Sequence, residues 1–187
     1  MDEEAQLTLE TAKEGMEDAV KHLENEYSHL RAGKADIRIL DGIKVDYYGT
    51  LTPLDQASNL STPDAKTIMI QPWDKSMIPL IEKAIMAANI GLNPANNGEV
   101  IRINIPPLTE ETRRDLVKKV KMLGENAKIS IRNRRREAND ELKNLEKQGL
   151  SEDNRKDYEQ KVQKLHDDFI SKTEDLMSTK EKEIMTI

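Results

Sequence analysis

Three stretches of this chain place apolar residues at alternating steps of three and four, and about seventy residues of another pattern separate the first stretch from the other two. The first stripe runs Leu9, Ala12, Met16, Val20, Leu23, Tyr27 and Leu30. The second runs Leu116, Val120, Leu123, Ala127, Ile131, Ala138, Leu142 and Leu145, and Arg134 stands where one apolar step is due. The third runs Tyr158, Val162, Leu165, Phe169, Leu176 and Ile184, with Thr173 and Lys180 as weaker members. Steps of three and four keep each set on one face of a helix. A helix with a single narrow stripe is not stable alone, so each stripe needs the others. Punctuation agrees. Gly33 and Asp41-Gly42 end the first helix, Thr109 with Glu110 and Glu111 caps the second, and Gly149 stops it. Ser151, followed by Glu152 and Asp153, opens the third. Helices of about 40 and 35 residues would run roughly 60 and 50 Å. The short Lys147–Leu150 connection makes them antiparallel neighbours. Composition fits long helices with wet surfaces: 36% hydrophobic, 34% charged and only 3% aromatic.

From Ala35 to about Pro107 the period changes. Ile43, Val45 and Tyr47 alternate with polar residues before Gly49 and Pro53, which predicts a strand and a turn. Ile68-Met69-Ile70 is a short apolar run closed by Pro72. Ser76–Ile90 reads as a helix, with Pro79 in its first turn and Gly91 as its stop. Asn96-Asn97-Gly98 turns the chain into a strand from Val100 to Ile105, and Pro106-Pro107 ends it. The expected fold is α+β: an elongated antiparallel three-helix bundle with a small α/β domain inserted into it. The bundle would be discontinuous, roughly 1–31 plus 106–187, around an insert at 32–105. Two chain crossings join them, so the hinge residues are Arg31, Ala32, Gly33, Lys34, Ile105, Pro106 and Pro107. Gly33 makes the first crossing the mobile one, and the prolines stiffen the second.

The net charge of −6 argues against nucleic acid only as an average. Between Arg113 and Arg136 ten basic residues face two acidic ones, a local +8. On a helix of 3.6 residues per turn, Arg114, Lys118, Lys121, Lys128, Arg135 and Arg136 fall within about 60° of Arg132, away from the apolar stripe. A merely solvated face would pair its charges at i, i+4. A single-signed edge rich in arginine instead suits phosphate backbones.

Catalytic signals are poor. No phosphate-cradling glycine loop occurs, and cysteine is absent, which excludes disulfides, zinc fingers and thiol nucleophiles. His22, His29 and His166 lack metal-ligand spacing and read as surface residues. The lone tryptophan, Trp73, reads as core. Arg134 is either a residue snorkelling from the seam or a further ligand contact. Seven carboxylates in the first eighteen residues are the reverse of a targeting peptide, and no apolar run spans a bilayer. The expectation is a cytoplasmic protein that is not an enzyme, binds no cofactor, metal or membrane, and acts as a monomer.

Several motifs carry a resemblance. Leu30-Arg31-Ala32-Gly33-Lys34-Ala35, Leu40-Asp41-Gly42-Ile43, Tyr47-Tyr48-Gly49-Thr50 and Thr52-Pro53-Leu54 resemble the bacterial ribosome recycling factor family. So do Glu82 through Gly91-Leu92-Asn93-Pro94, Pro106-Pro107-Leu108-Thr109-Glu110-Glu111, and Ile131-Arg132-Asn133 with Arg135, Arg136 and Ala138-Asn139. The resemblance implies a three-helix bundle and a small β/α/β domain in an L shape. It also implies a translation factor that binds the post-termination ribosome on large-subunit RNA and, with elongation factor G and GTP, splits it into subunits. The family's RNA-contacting pattern falls on Arg31, Lys128 and Arg132, with Arg135 and Arg136 on the same edge. Lys34 and Thr112 stand where the family often has arginine, and Arg134 where it is commonly apolar. A helical RNA-binding adaptor without recycling activity remains the alternative.

Overall fold

A computed structural model describes residues 2–30 and 33–186. The chain divides into two compact units: Met1–Leu30 with Glu110–Ile187, and Arg31–Thr109.

Unit one consists of three helices, α1 (Asp2–His29), α4 (Glu110–Gln148) and α5 (Glu152–Met185). Their inward faces are the stripes read from the sequence: Ala12, Met16, Val20, Leu23 and Tyr27 on α1, and Val120, Ala127, Ile131, Ala138, Leu142 and Leu145 on α4, are all buried. Gly149, at φ 122, makes the reversal that only glycine adopts freely, and Leu150 N–H closes it on the Leu145 carbonyl at 3.0 Å. Ser151 Oγ then accepts from Asn154 N–H at 3.2 Å and caps α5. Contacts between α4 and α5 descend in register, from Lys128–Glu174 through Arg135–Gln163 to Glu146–Arg155, so the two are antiparallel. Tyr27 and Gly15 of α1 meet Val120 and Arg134 of α4 in the same descending order.

The bundle core has two parts. Ala5, Ala12, Ala138, Leu142, Leu145, Leu150 and Val162 form one cluster, and Met16, Val20 and Ile131 form the other with Leu165, Phe169 and Leu176 against them. Arg134 lies between them along α4. Its stem crosses Gly15, where an added Cβ would come within 2.8 Å of Arg134 Cδ. Its guanidinium reaches out to Glu137 Oε2 at 3.0 Å. Arg134 is therefore a snorkelling seam residue, and Gly15 is the notch that admits it.

Among its described residues unit two contains six strands. β1 (Lys44–Tyr47) and β2 (Thr50–Pro53) form a hairpin. β3 (Ser58–Asp64), β4 (Thr67–Pro72), β5 (Pro94–Asn96) and β6 (Ile101–Asn104) form an antiparallel sheet in the order β3-β4-β6-β5. Alternation along β4 and β6 sends Ile68, Ile70, Ile101 and Ile103 to one face, with Ile68 opposite Ile103 and Ile70 opposite Ile101. They share a core with Ile78, Ile81 and Ile85 of α3 (Ile78–Ala87). A single helical turn, α2 (Leu54–Ala57), links β2 to β3. β2, β3 and β5 were not foreseen. Trp73, expected in the core, is 66% exposed with Nε1 bonded to the Gln56 carbonyl at 2.9 Å. The indole N–H needs a partner, and a carbonyl of the turn at Leu54–Ala57 holds the ring at the rim, just past the end of β4.

Both ends of unit two are tied to one turn. Ala35 N–H bonds to the Ala65 carbonyl at 2.8 Å, and Ile105 N–H bonds to the Lys66 carbonyl at 2.7 Å. Ile105 is 6% exposed and packs in the core of this unit, so it belongs to the body of unit two. Gly33 has φ 75, in the left-handed region. Lys34, Pro106 and Pro107 are exposed, while Arg31 and Ala32 lie outside the described residues.

Candidate nucleic-acid interface

α4 is clasped on two sides, and the clasp sorts its cations. Helix geometry puts Lys128 and Arg135 about 40° and 60° from Arg132 on one side. That side meets α5. Lys128 keeps only 11% of its side-chain surface, and Nζ bridges Glu125 at 3.3 Å and Glu174 at 3.1 Å. Burial strips water from this ammonium and lowers its pKa, but the bonds to Glu174 and Glu125 outweigh that and hold it above the usual lysine value. Arg135 Nη1 donates to Gln163 Oε1 at 3.1 Å. Gln163 in turn donates to Asp167 at 2.8 Å, and His166 Nδ1 lies 2.9 Å from the same carboxylate. His166 is thus not a surface histidine: its side chain keeps 12% of its exposure, whereas His22 and His29 are exposed.

The remaining cations stay outside. Arg114, Lys118, Lys121, Arg132 and Arg136 are all exposed. Among the described residues Lys118, Lys121 and Arg132 make no ion pair. Arg136 bonds only the neutral Asn133 amide at 3.1 Å, and Arg114 holds Glu110 loosely at 3.8 Å. The single carboxylate within this row, Glu125, is occupied by Lys128. Tying up that one anion leaves a face of unopposed positive charge along about five turns of α4, from Lys118 to Arg136. Such a face suits a polyanion, and a run of phosphates matches its length and sign.

The partners on α5 could not be read from α4 alone. Glu174 and Gln163 become neighbours of the basic edge only through the antiparallel register, which depends on where Gly149 reverses the chain. Among the described residues no cluster of acidic or histidine side chains could hold a metal ion, and no helix is long and apolar enough to cross a membrane.

Comparison with known proteins bears on this face. A sequence model of the family described as "Ribosome recycling factor" matches residues 23–185. The ribosome-recycling factor of Bacteroides thetaiotaomicron is 55% identical over 179 residues, 96% of each chain. That of Flavobacterium psychrophilum is 52% identical over 187 residues, the whole of each. A solution structure of a ribosome recycling factor superposes with TM-score 0.79 at 41% identity, covering 98% of both chains. A second similar structure, with TM-score 0.62 at 42% identity, covers 97% of this chain and 98% of the other. It is the Thermus thermophilus factor, represented together with the Escherichia coli elongation factor G on the E. coli post-termination complex. With the family model matching residues 23–185 and relatives more than half identical over 96% or more of the chain, the chain belongs to the ribosome recycling factor family.

Proposed function

We propose that this chain is a non-catalytic, monomeric, cytoplasmic translation factor that binds the post-termination ribosome through large-subunit RNA. With elongation factor G and GTP it splits the ribosome into subunits, itself holding no cofactor. The observation that carries the reading is the row of unopposed cations on α4, with Arg132 and Lys118 at its centre and Lys128 and Arg135 flanking it on the α5 side. The related structure pairs a member of this family with elongation factor G on a post-termination complex, which supports the choice of partner. Unit two serves as the arm on which the partner acts. It moves about Arg31, Ala32, Gly33 and Lys34 on one crossing and Pro106-Pro107 on the other. The tie from Ile105 to Lys66 makes Ile105 part of the arm rather than of the joint.

The test is co-sedimentation with purified large subunits across a salt series, beside a light-scattering assay of splitting with elongation factor G and GTP. Arg132→Ala is expected to weaken binding by about 1–3 kcal/mol, the range for charge-assisted bonds. It should also make the salt dependence shallower by roughly one contact. Circular dichroism should stay the same, because the residue points away from the stripe. Unaltered binding at low salt would move the RNA face elsewhere. Binding without splitting would leave the adaptor reading.

A further inference from the structure

Every exposed side chain on α4 is polar or charged except two. Met122 is 55% exposed and Ile129 is 49% exposed. They stand seven residues apart, so they share a face. Helix geometry places them about 60–80° from Arg132, just beyond Lys118 and Arg136 and on the side away from α5. Neither belongs to a core cluster of the bundle. Isoleucine at a solvated helix position offers less helix propensity than the lysines and glutamates around it. Nothing inside the chain accounts for the pair, and both sit against the cationic row.

We infer that Met122 and Ile129 extend the phosphate-binding row into a contact with the ribose and base faces of the same RNA. This inference rests on the ribosome-binding reading above. Of the carboxylates beside them, Glu125 is held by Lys128, and the exposed cations of the row outnumber Asp115, so the adjoining ligand surface is anionic. An RNA helix presents its sugars and base edges in a wide, shallow minor groove beside its phosphates, and unpaired bases present apolar faces. Methionine adapts to an irregular surface, and isoleucine gives a stiff one. The cations thus supply the salt-dependent part of binding, and this pair supplies a part that salt does not screen.

That division gives the test. Affinity for purified large subunits is measured over a salt series for the wild type, for Met122→Ser/Ile129→Ser, for Met122→Leu/Ile129→Leu, and for Arg132→Ala. The serine pair is expected to bind roughly tenfold more weakly at every salt concentration, from the apolar area left unburied. Its line should run parallel to the wild type, the leucine pair should restore affinity, and Arg132→Ala should change the slope instead. In a second arm, p-benzoylphenylalanine at Met122 is irradiated on the subunits, and a crosslink to RNA is expected. Serine variants that bind like the wild type overturn the inference, as does a crosslink to protein or to nothing. If the wild type itself fails to bind, the ribosome reading falls and this inference with it; if Arg132→Ala leaves the slope untouched, the RNA face lies elsewhere and this inference falls alone.

Discussion

In unit two, nine of the fifteen residues in the buried core are isoleucine; in one cluster of the bundle, three of seven are alanine. The contrast follows from the backbones that carry them. Isoleucine is stiff at χ1 and fits the pleat of a sheet, so Ile68, Ile70, Ile101 and Ile103 fill the space over β4 and β6. Alanine and glycine let helices approach, as Ala12 against Ala138 and Gly15 beneath Arg134 do. Charge divides the same way. Unit two carries as many acidic as basic residues, so the whole net charge of −6 belongs to the bundle, although the bundle holds the basic edge. The unit with the larger core cluster is electrically neutral, and the unit with the thin core is polarised. A thin stripe leaves most of each helix free to carry charge.

The sharpest way to break this comparison is to damage each core separately. Ile103→Ala removes a fully buried side chain from the centre of the sheet and should cost unit two about 3–5 kcal/mol. Trp73, the only tryptophan, lies in unit two, while the far-ultraviolet circular dichroism comes mostly from the helices of unit one. Melting followed by tryptophan fluorescence should shift markedly, with the helical signal shifting little. Coincident shifts would mean that the two cores melt as one.

Leu142→Ala is the reciprocal change. Leu142 is fully buried, but its surroundings are helix faces that can close on a cavity, so about 2–3 kcal/mol is expected. Here the helical signal should move and the Trp73 signal hold. A larger loss than that of Ile103→Ala would show that the thin core is the more tightly packed one.

The smallest effect sharpens the account of the bundle seam. Tyr27 Oη donates to the Val120 carbonyl at 2.7 Å, linking α1 to α4. Tyr27→Phe should cost about 1 kcal/mol at neutral pH. Burial first, then the nearby Glu181, pushes the Tyr27 hydroxyl up to about 12. Folding therefore favours the protonated phenol. The unfolded chain begins to ionise near the ordinary tyrosine value of 10.0, so this contribution is complete below that pH and is lost between there and about 12. Urea denaturation of the wild type at pH 8 and at pH 11 should show stability falling. In the phenylalanine variant that fall should be smaller. An equal fall in both would assign the alkaline loss to other groups.

The parts of the fold that were legible have a common property: they are buried on a regular period. The three stripes reappear as the inward faces of α1, α4 and α5, and the central strands β4 and β6 contain the apolar runs at Ile68–Ile70 and Ile101–Ile103. The missed strands β3 and β5 are the two edges of that sheet. Edge strands have one hydrogen-bonding side free, so they tolerate Pro63 and Pro94 and need no continuous apolar face. β2 was missed for another reason. Its hairpin turns on Tyr48-Gly49, with φ 49 and 85, where the pattern that sequence reasoning expects is Asn-Gly. Asp46 accepting from Gly49 N–H at 2.7 Å and Asp74 accepting from the Tyr48 hydroxyl hold a turn that Tyr48 disfavours locally.

The candidate site divides along the same line. That a helix from Thr109 to Gly149 carries a basic edge follows from spacing alone, because the α-helix fixes which residues share a direction. Which of those cations stay free is not a property of α4. Lys128 and Arg135 are drawn toward Glu174 and Gln163, while Arg132 and Lys118 are left to the solvent. A side chain's direction depends on its own helix, but its partner depends on the register of another helix, and that register exists only once the bundle has packed. The same holds for Arg134: the sequence marks it as a break in the stripe, and only Gly15 on α1 shows how the break is filled.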